Sequence, residues 1–123
     1  MTDKNIAIGV LSYNTEKYIL KVLKDLKDLE CPIIVIDDSS DDKSLEIVKN
    51  FKKENPNTHC EIIENESNKG AGQSCKILIK HCKDVGYKYI VKVDGDDQFD
   101  INDIKKIIFN LKKEKYDFIK SNR

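Results

Sequence analysis

The sequence shows no excess of charge of either sign, because its 22 lysines and arginines are matched by 22 aspartates and glutamates. Without a net field there is no case for nucleic acid or an anionic membrane surface as partner. No apolar run approaches the ~20 residues that cross a bilayer, so no transmembrane segment is expected. The opening MTDKNIAIGV has one lysine and a short apolar run, which reads as neither signal peptide nor anchor and makes a cytoplasmic location the expectation. Cys31, Cys60, Cys75 and Cys82 form no C-x-x-C pair, and His59 and His81 add no zinc spacing. The cysteines therefore read as reduced, core-filling thiols. There is no repeat, low-complexity tract or linker, so residues 1–123 read as one domain with one core.

What is present is an alternation of apolar runs and amphipathic stretches. Residues 5–12, NIAIGVLS, read as a buried strand in which Gly9 marks close packing against a neighbour. Thr15 is the expected N-cap of a helix with Tyr18, Ile19, Val22, Leu23, Leu26 and Leu29 inward, ended by Cys31-Pro32. Ile33 to Ile36 is a second strand, followed by a helix with Leu45, Val48 and Phe51 inward, and residues 59–64 are a third strand. The loop Asn65 to Gly72 leads into a helix carrying Cys75, Leu78, Ile79 and Cys82, with Gly86 as its C-cap. That loop is neither G-x-x-x-x-G-K-[ST] nor G-x-G-x-x-G, so a flexible connection is favoured over a phosphate loop. Tyr89 to Val93 is a fourth strand, residues 101–113 a helix, and residues 116–120 begin a fifth strand.

Strands separated by helices run parallel, so the fold class is α/β with a mostly parallel, Rossmann-like sheet and helices on both faces. Such sheets bind ligands beyond the carboxyl ends of their strands. Those ends here carry Tyr13 and Asn14, then Asp37 and Asp38, then Asp94, Asp96 and Asp97. Asp94 and Asp96 are two apart and point the same way in extended backbone, and Gly95 permits a sharp turn between them. Crowded carboxylates repel, so the cluster either holds a hard cation such as Mg²⁺ or Mn²⁺ or is a solvated turn with Asp100 or Asn102 capping the next helix.

The stretches IAIGVLSYNTEKYI, IIVIDDSSDDKSLEIV, NKGAGQS and YIVKVDGDDQF resemble, in order and spacing, family-2 inverting glycosyltransferases, most closely the polyprenyl-phosphate (dolichol-phosphate mannose synthase-like) branch. The resemblance covers essentially the whole chain and implies the GT-A fold, a nucleoside-diphosphate sugar of UDP or GDP type, and Mg²⁺ or Mn²⁺. By the same resemblance, Tyr13 and Glu16 begin the nucleotide pocket, Asp38 contacts the nucleoside, and Asp37 and Asp42 support it. Gly70 approaches the nucleotide, Asp94 and Asp96 meet donor and metal, and Gln98 lies close to the metal. Family members continue past the fifth strand, so the chain is expected to be the donor-binding part, with the acceptor site and any catalytic base beyond Arg123. The branch implies a polyprenyl phosphate acceptor and a place at the cytoplasmic face of a membrane. An uncovered sheet edge with Phe99 and Phe118 would favour a homodimer. Two readings compete: a nucleotide-binding module without catalysis, and a phospho-acceptor receiver domain. Receivers usually carry their acid pair after the first strand, where this chain has Tyr13-Asn14.

Overall fold

The computed structural model describes residues 5–113. Its elements are β1 (Ile6–Ser12), α1 (Ile19–Lys27), β2 (Ile33–Asp37), α2 (Ser44–Glu54), β3 (Cys60–Glu64), α3 (Ala71–Val85), β4 (Tyr89–Asp94) and α4 (Ile101–Lys113). The expected fifth strand, and Phe118 with it, lie outside the described residues. The four strands form one parallel sheet in the order β3-β2-β1-β4.

Alternation along each strand divides the apolar residues between two faces. Ile6, Ile8 and Val10, with Ile33, Val35, Val91 and Val93, meet α1, α2 and α4 in the larger core. Ala7, Leu11, Ile34 and Ile36 meet Leu78 and Cys82 of α3 in the smaller one. Helices therefore cover both faces, as expected for strands rich in β-branched residues along their whole length.

Gly9 is where α3 comes closest to the sheet. A Cβ built on it would lie 2.2 Å from Leu78 Cδ2, and Leu78 is wholly buried. Gly9→Ala is expected to destabilise the fold by about 1–3 kcal/mol through overpacking. Thermal unfolding checks this: the double variant Gly9→Ala/Leu78→Ala should be more stable than the sum of the single losses, because each change relieves the other.

The capping residues are only partly those expected. Gly86 ends α3 in the left-handed conformation (φ 102°) and donates its N–H to Cys82 O. Asp100 Oδ1 accepts the Asn102 N–H at 2.8 Å and caps α4. Thr15 does not cap α1, which starts at Ile19 with no side-chain cap. Its carbonyl takes the N–H groups of Tyr18 and Ile19 in a turn, and its hydroxyl is engaged by Ser12 at 2.7 Å. Tyr18 is consequently outside the helix and 47% exposed, not inward. Ile79 is also outward, because α3 meets the sheet along Ser74, Leu78 and Cys82, one residue per turn. Phe99 packs half-buried against the larger core.

Burial pushes the Cys60 and Cys82 thiols up to about 11, which keeps them protonated as core residues. The histidines join a polar tie at the end strand β3. Glu61 accepts from Tyr87 Oη at 2.9 Å and hydrogen-bonds Nε2 of His59 and His81. Burial would raise the Glu61 carboxyl, but these three partners hold it below its usual range.

Candidate functional site

The strand order reverses between β1 and β4, and a crevice of about 630 Å³ opens at their carboxyl ends. Register makes the edge level: Ser12 is opposite Asp37, Asp37 opposite Glu64, and Leu11 opposite Asp94. Tyr13, Asn14 and Tyr18 line the crevice on the β1 side, Asp94, Gly95 and Asp96 on the β4 side, and Asp38, Asn68 and Gly70 toward α3. Tyr13 is 45% exposed, so two half-exposed phenol rings face into this space. Aromatic faces beside carboxylates suit a ligand with a stacking ring and hydrogen-bond donors.

Asp38 is the most constrained acid of the site. It is 5% exposed, and Oδ1 accepts from Asn65 Nδ2 and the Lys69 N–H, both at 2.8 Å, while Oδ2 accepts the Gly70 N–H at 2.9 Å. Asn65 Nδ2 also reaches Ser74 Oγ at 3.1 Å. Burial would raise the Asp38 carboxyl; the bonds from Lys69, Asn65, Gly70 and Ser74 outweigh it and hold the group below the usual carboxylate range. This carboxylate thus clamps the loop that leads into α3, where Gly70 takes φ 87°, a region glycine enters without steric cost.

The loops after β1 and β2 are laced together. Asn14, held at φ 52°, accepts the Asp41 N–H on Oδ1 at 2.7 Å and donates its own N–H to Ser40 Oγ at 3.0 Å. Asp42 Oδ2 accepts the Glu16 N–H, and Glu16 Oε1 accepts the Lys43 N–H. Ser44 Oγ donates to Asp42 Oδ1 and accepts the Thr15 N–H at 2.7 Å. Asp37 closes its own turn, taking the hydroxyl and the N–H of Ser40. Burial works to raise Asp42, and its bonds from Ser44 and Glu16 keep it low.

At the β4 end, Gly95 does not have positive φ. Its missing side chain serves close packing instead: a Cβ there would lie 3.1 Å from Ile19 Cδ1 and 3.3 Å from Leu11 O, so these neighbours would have to give way. The left-handed residue of this turn is Asp97, at φ 65°. Asn14, Ser39 and Asp97, three of the four non-glycine residues with positive φ among the described residues, follow strand ends at this edge. Such strain gathers at functional sites.

Of the residues expected at the site, Tyr13, Asp38, Gly70, Asp94 and Asp96 line the one crevice. Glu16, Asp37 and Asp42 sit behind it in the laced loops, and Gln98 lines a neighbouring hollow with Lys21 and Asp97. Tyr18, Asn65 and Ser74 were missed: Tyr18 fitted a helical face, and nothing local marks Asn65 or Ser74 as partners of Asp38.

Among the described residues no three histidine, cysteine or acidic groups converge as a complete metal cage. The residues do fit a cation shared with a ligand. Asp94 and Asp96 both face the crevice, and Asp96 has only Oδ1 engaged, by the Gln98 N–H at 3.2 Å. Mg²⁺ ordinarily takes one or two carboxylates and completes its shell with water and phosphate oxygens.

A parallel sheet with helices on both faces and an acid-lined crevice at its strand-order reversal defines a Rossmann-like α/β domain. The chain belongs to glycosyl transferase family 2, whose model matches residues 7–123. It is 29% identical over 134 aligned positions to the UDP-N-acetylglucosamine–dolichyl-phosphate N-acetylglucosaminyltransferase of Methanococcus voltae, covering 100% of this chain and 53% of that one. Among solved structures it resembles residues 1–349 of TarS from S. aureus (TM-score 0.71, 24% identity, 92% of this chain and 33% of that one). It also resembles the mannosyltransferase PcManGT of Pyrobaculum calidifontis, solved with GDP-Man and Mn²⁺ (TM-score 0.67, 19% identity, 77% of this chain and 28% of that one). These likenesses establish the GT-A type of fold. The chain spans only part of the length of the curated relatives it matches, from 17% to 53%. No described helix is long and apolar enough to cross a membrane.

Proposed function

We propose that this chain is the donor-binding part of a hexosyltransferase, holding a nucleoside-diphosphate sugar with Mg²⁺ or Mn²⁺ in the crevice between β1 and β4. The nucleoside lies toward Tyr13, Asp38 and Gly70 and the diphosphate toward Asp94 and Asp96. The observation that carries this reading is the convergence of three strand ends, which gathers two aromatic rings, a clamped loop and two carboxylates around a single crevice. Asp94 and Asp96 alone repel a diphosphate, so they require a cation to receive it, and that cation supplies Lewis-acid neutralisation of the leaving group. The sugar is passed on with inversion, the acceptor attacking the anomeric carbon from the face opposite the diphosphate. The name of the Methanococcus relative supports a polyprenyl phosphate as acceptor. Such a phosphate is already ionised and needs no catalytic base. GDP-Man and Mn²⁺ in the PcManGT structure support the donor class and the ion. The family match favours this reading over a receiver domain or a non-catalytic module.

Calorimetry with UDP- and GDP-sugars tests it. Binding should be weak in excess chelator and tighten with Mn²⁺ or Mg²⁺, and equal affinity in both conditions would sink the proposal.

A further inference from the structure

Three acids stand at the end of β4 and in the turn after it, and the fold separates them. Asp94 and Asp96 face the crevice; Asp97 turns into a second hollow of about 680 Å³ between α1 and α4. There its carboxylate meets Lys21 Nζ of α1, at 3.4 Å from Oδ1 and 3.3 Å from Oδ2. Lys21 is itself steadied by Asp25, one turn along the helix, at 2.9 Å. Asp97 holds φ 65°, a conformation unfavourable for a residue with a Cβ. That backbone setting presents the Gln98 N–H to Asp96 Oδ1 at 3.2 Å. The bonds thus run in sequence: Lys21 to the Asp97 carboxylate, the Asp97 backbone to the Gln98 amide, and the Gln98 amide to Asp96. On the hollow side the contacts to this turn come from Lys21, since the other charged groups there, Asp25, Asp100 and Asp103, are acids that repel Asp97.

We propose that Lys21 is a positioning residue for the Asp94/Asp96 pair, holding Asp97 at the back of the turn so that Asp96 is aimed into the crevice. The inference rests on the donor-binding reading above only for what the pair binds. Lys21 does not line the crevice, so its removal leaves the nucleoside end untouched.

The test uses the whole chain and two readouts. In the apo protein, the Gln98 amide resonance, set in the wild type by its hydrogen bond to Asp96 Oδ1, should move toward its random-coil position in Lys21→Met and return in Lys21→Arg, with the melting temperature little changed. Separately, Mn²⁺ binding in the presence of UDP or GDP, read by electron paramagnetic resonance, should weaken about two- to fivefold in Lys21→Met, the ordinary worth of an exposed ion pair. Affinity for uridine or guanosine alone should not move. An unchanged Gln98 resonance, unchanged Mn²⁺ affinity, or an equal loss for the bare nucleoside would overturn the inference. If the amide arm succeeds while the wild type shows no Mn²⁺-dependent nucleotide binding, the donor-binding reading falls and the turn-positioning role of Lys21 stands.

Discussion

Asp96→Ala is expected to abolish the gain in nucleotide affinity that Mn²⁺ provides and to leave affinity for the bare nucleoside as it was. Asp96 follows β4, which β1 separates from β2 and its Asp38 clamp, and its Oδ1 bonds only within its own turn. Removing it leaves Asp94, whose nearest cation is Lys92 Nζ at 4.0 Å, as the one carboxylate of the pair. Groups that merely support a metal ligand are commonly worth about 10- to 100-fold in metal affinity. A group in direct contact should cost at least that, so the metal-dependent component should fall by about 100-fold. Titration of UDP or GDP with and without Mn²⁺, beside uridine or guanosine alone, makes the comparison. A matching loss for the nucleoside would mean that the two ends of the crevice are not separate binding regions.

Asp38→Ala should act differently, lowering both stability and nucleoside affinity. The substitution strands three donors, Asn65 Nδ2 and the N–H groups of Lys69 and Gly70, and releases the loop that walls the crevice. Hydrogen bonds to a charged group contribute roughly 1.5–3 kcal/mol, and loss of a buried acceptor leaves its donors unsatisfied. We expect a loss of about 3 kcal/mol, or about 10 °C in melting temperature for a domain of this size. The pH dependence has a definite sign. The folded carboxyl is held below its unfolded value near 3.9, so its contribution is fully present above about pH 4 and is lost as pH falls through the folded value. The gap in stability between wild type and Asp38→Ala should therefore be constant near neutrality and narrow below about pH 4. A gap that does not change with acidification would show that the carboxylate charge is not what holds the loop.

Much of the architecture was legible in local pattern. β-branched runs such as IIVID and the 3.6-residue spacing of Ile104, Ile108 and Leu111 each carry their own burial, because a residue that must leave water shows its period wherever it sits. Gly9 and Gly86 were also readable, as each answers a requirement of nearby backbone. Errors came where a residue satisfied a period but belonged to a turn. Tyr18 fits the helical face of α1 and lies just before it, because the Thr15 carbonyl captures the first N–H groups and delays the helix.

Sequence alone determined that acids would gather at the carboxyl edge, since strand–helix alternation and parallel pairing bring the strand ends together whatever the side chains there do. The division of those acids was decided only by tertiary structure. Asp37, Asp38 and Asp42 are chemically alike and nearly adjacent, yet they close a turn, clamp a loop and tie the loops after β1 and β2 together, respectively. Each role depends on which N–H the fold delivers within about 3 Å, and for Asp38 those donors come from 27 to 32 residues away. A carboxylate's identity fixes only that it accepts hydrogen bonds. Which donors reach it, and so which acids remain facing the crevice, follows from how the loops cross.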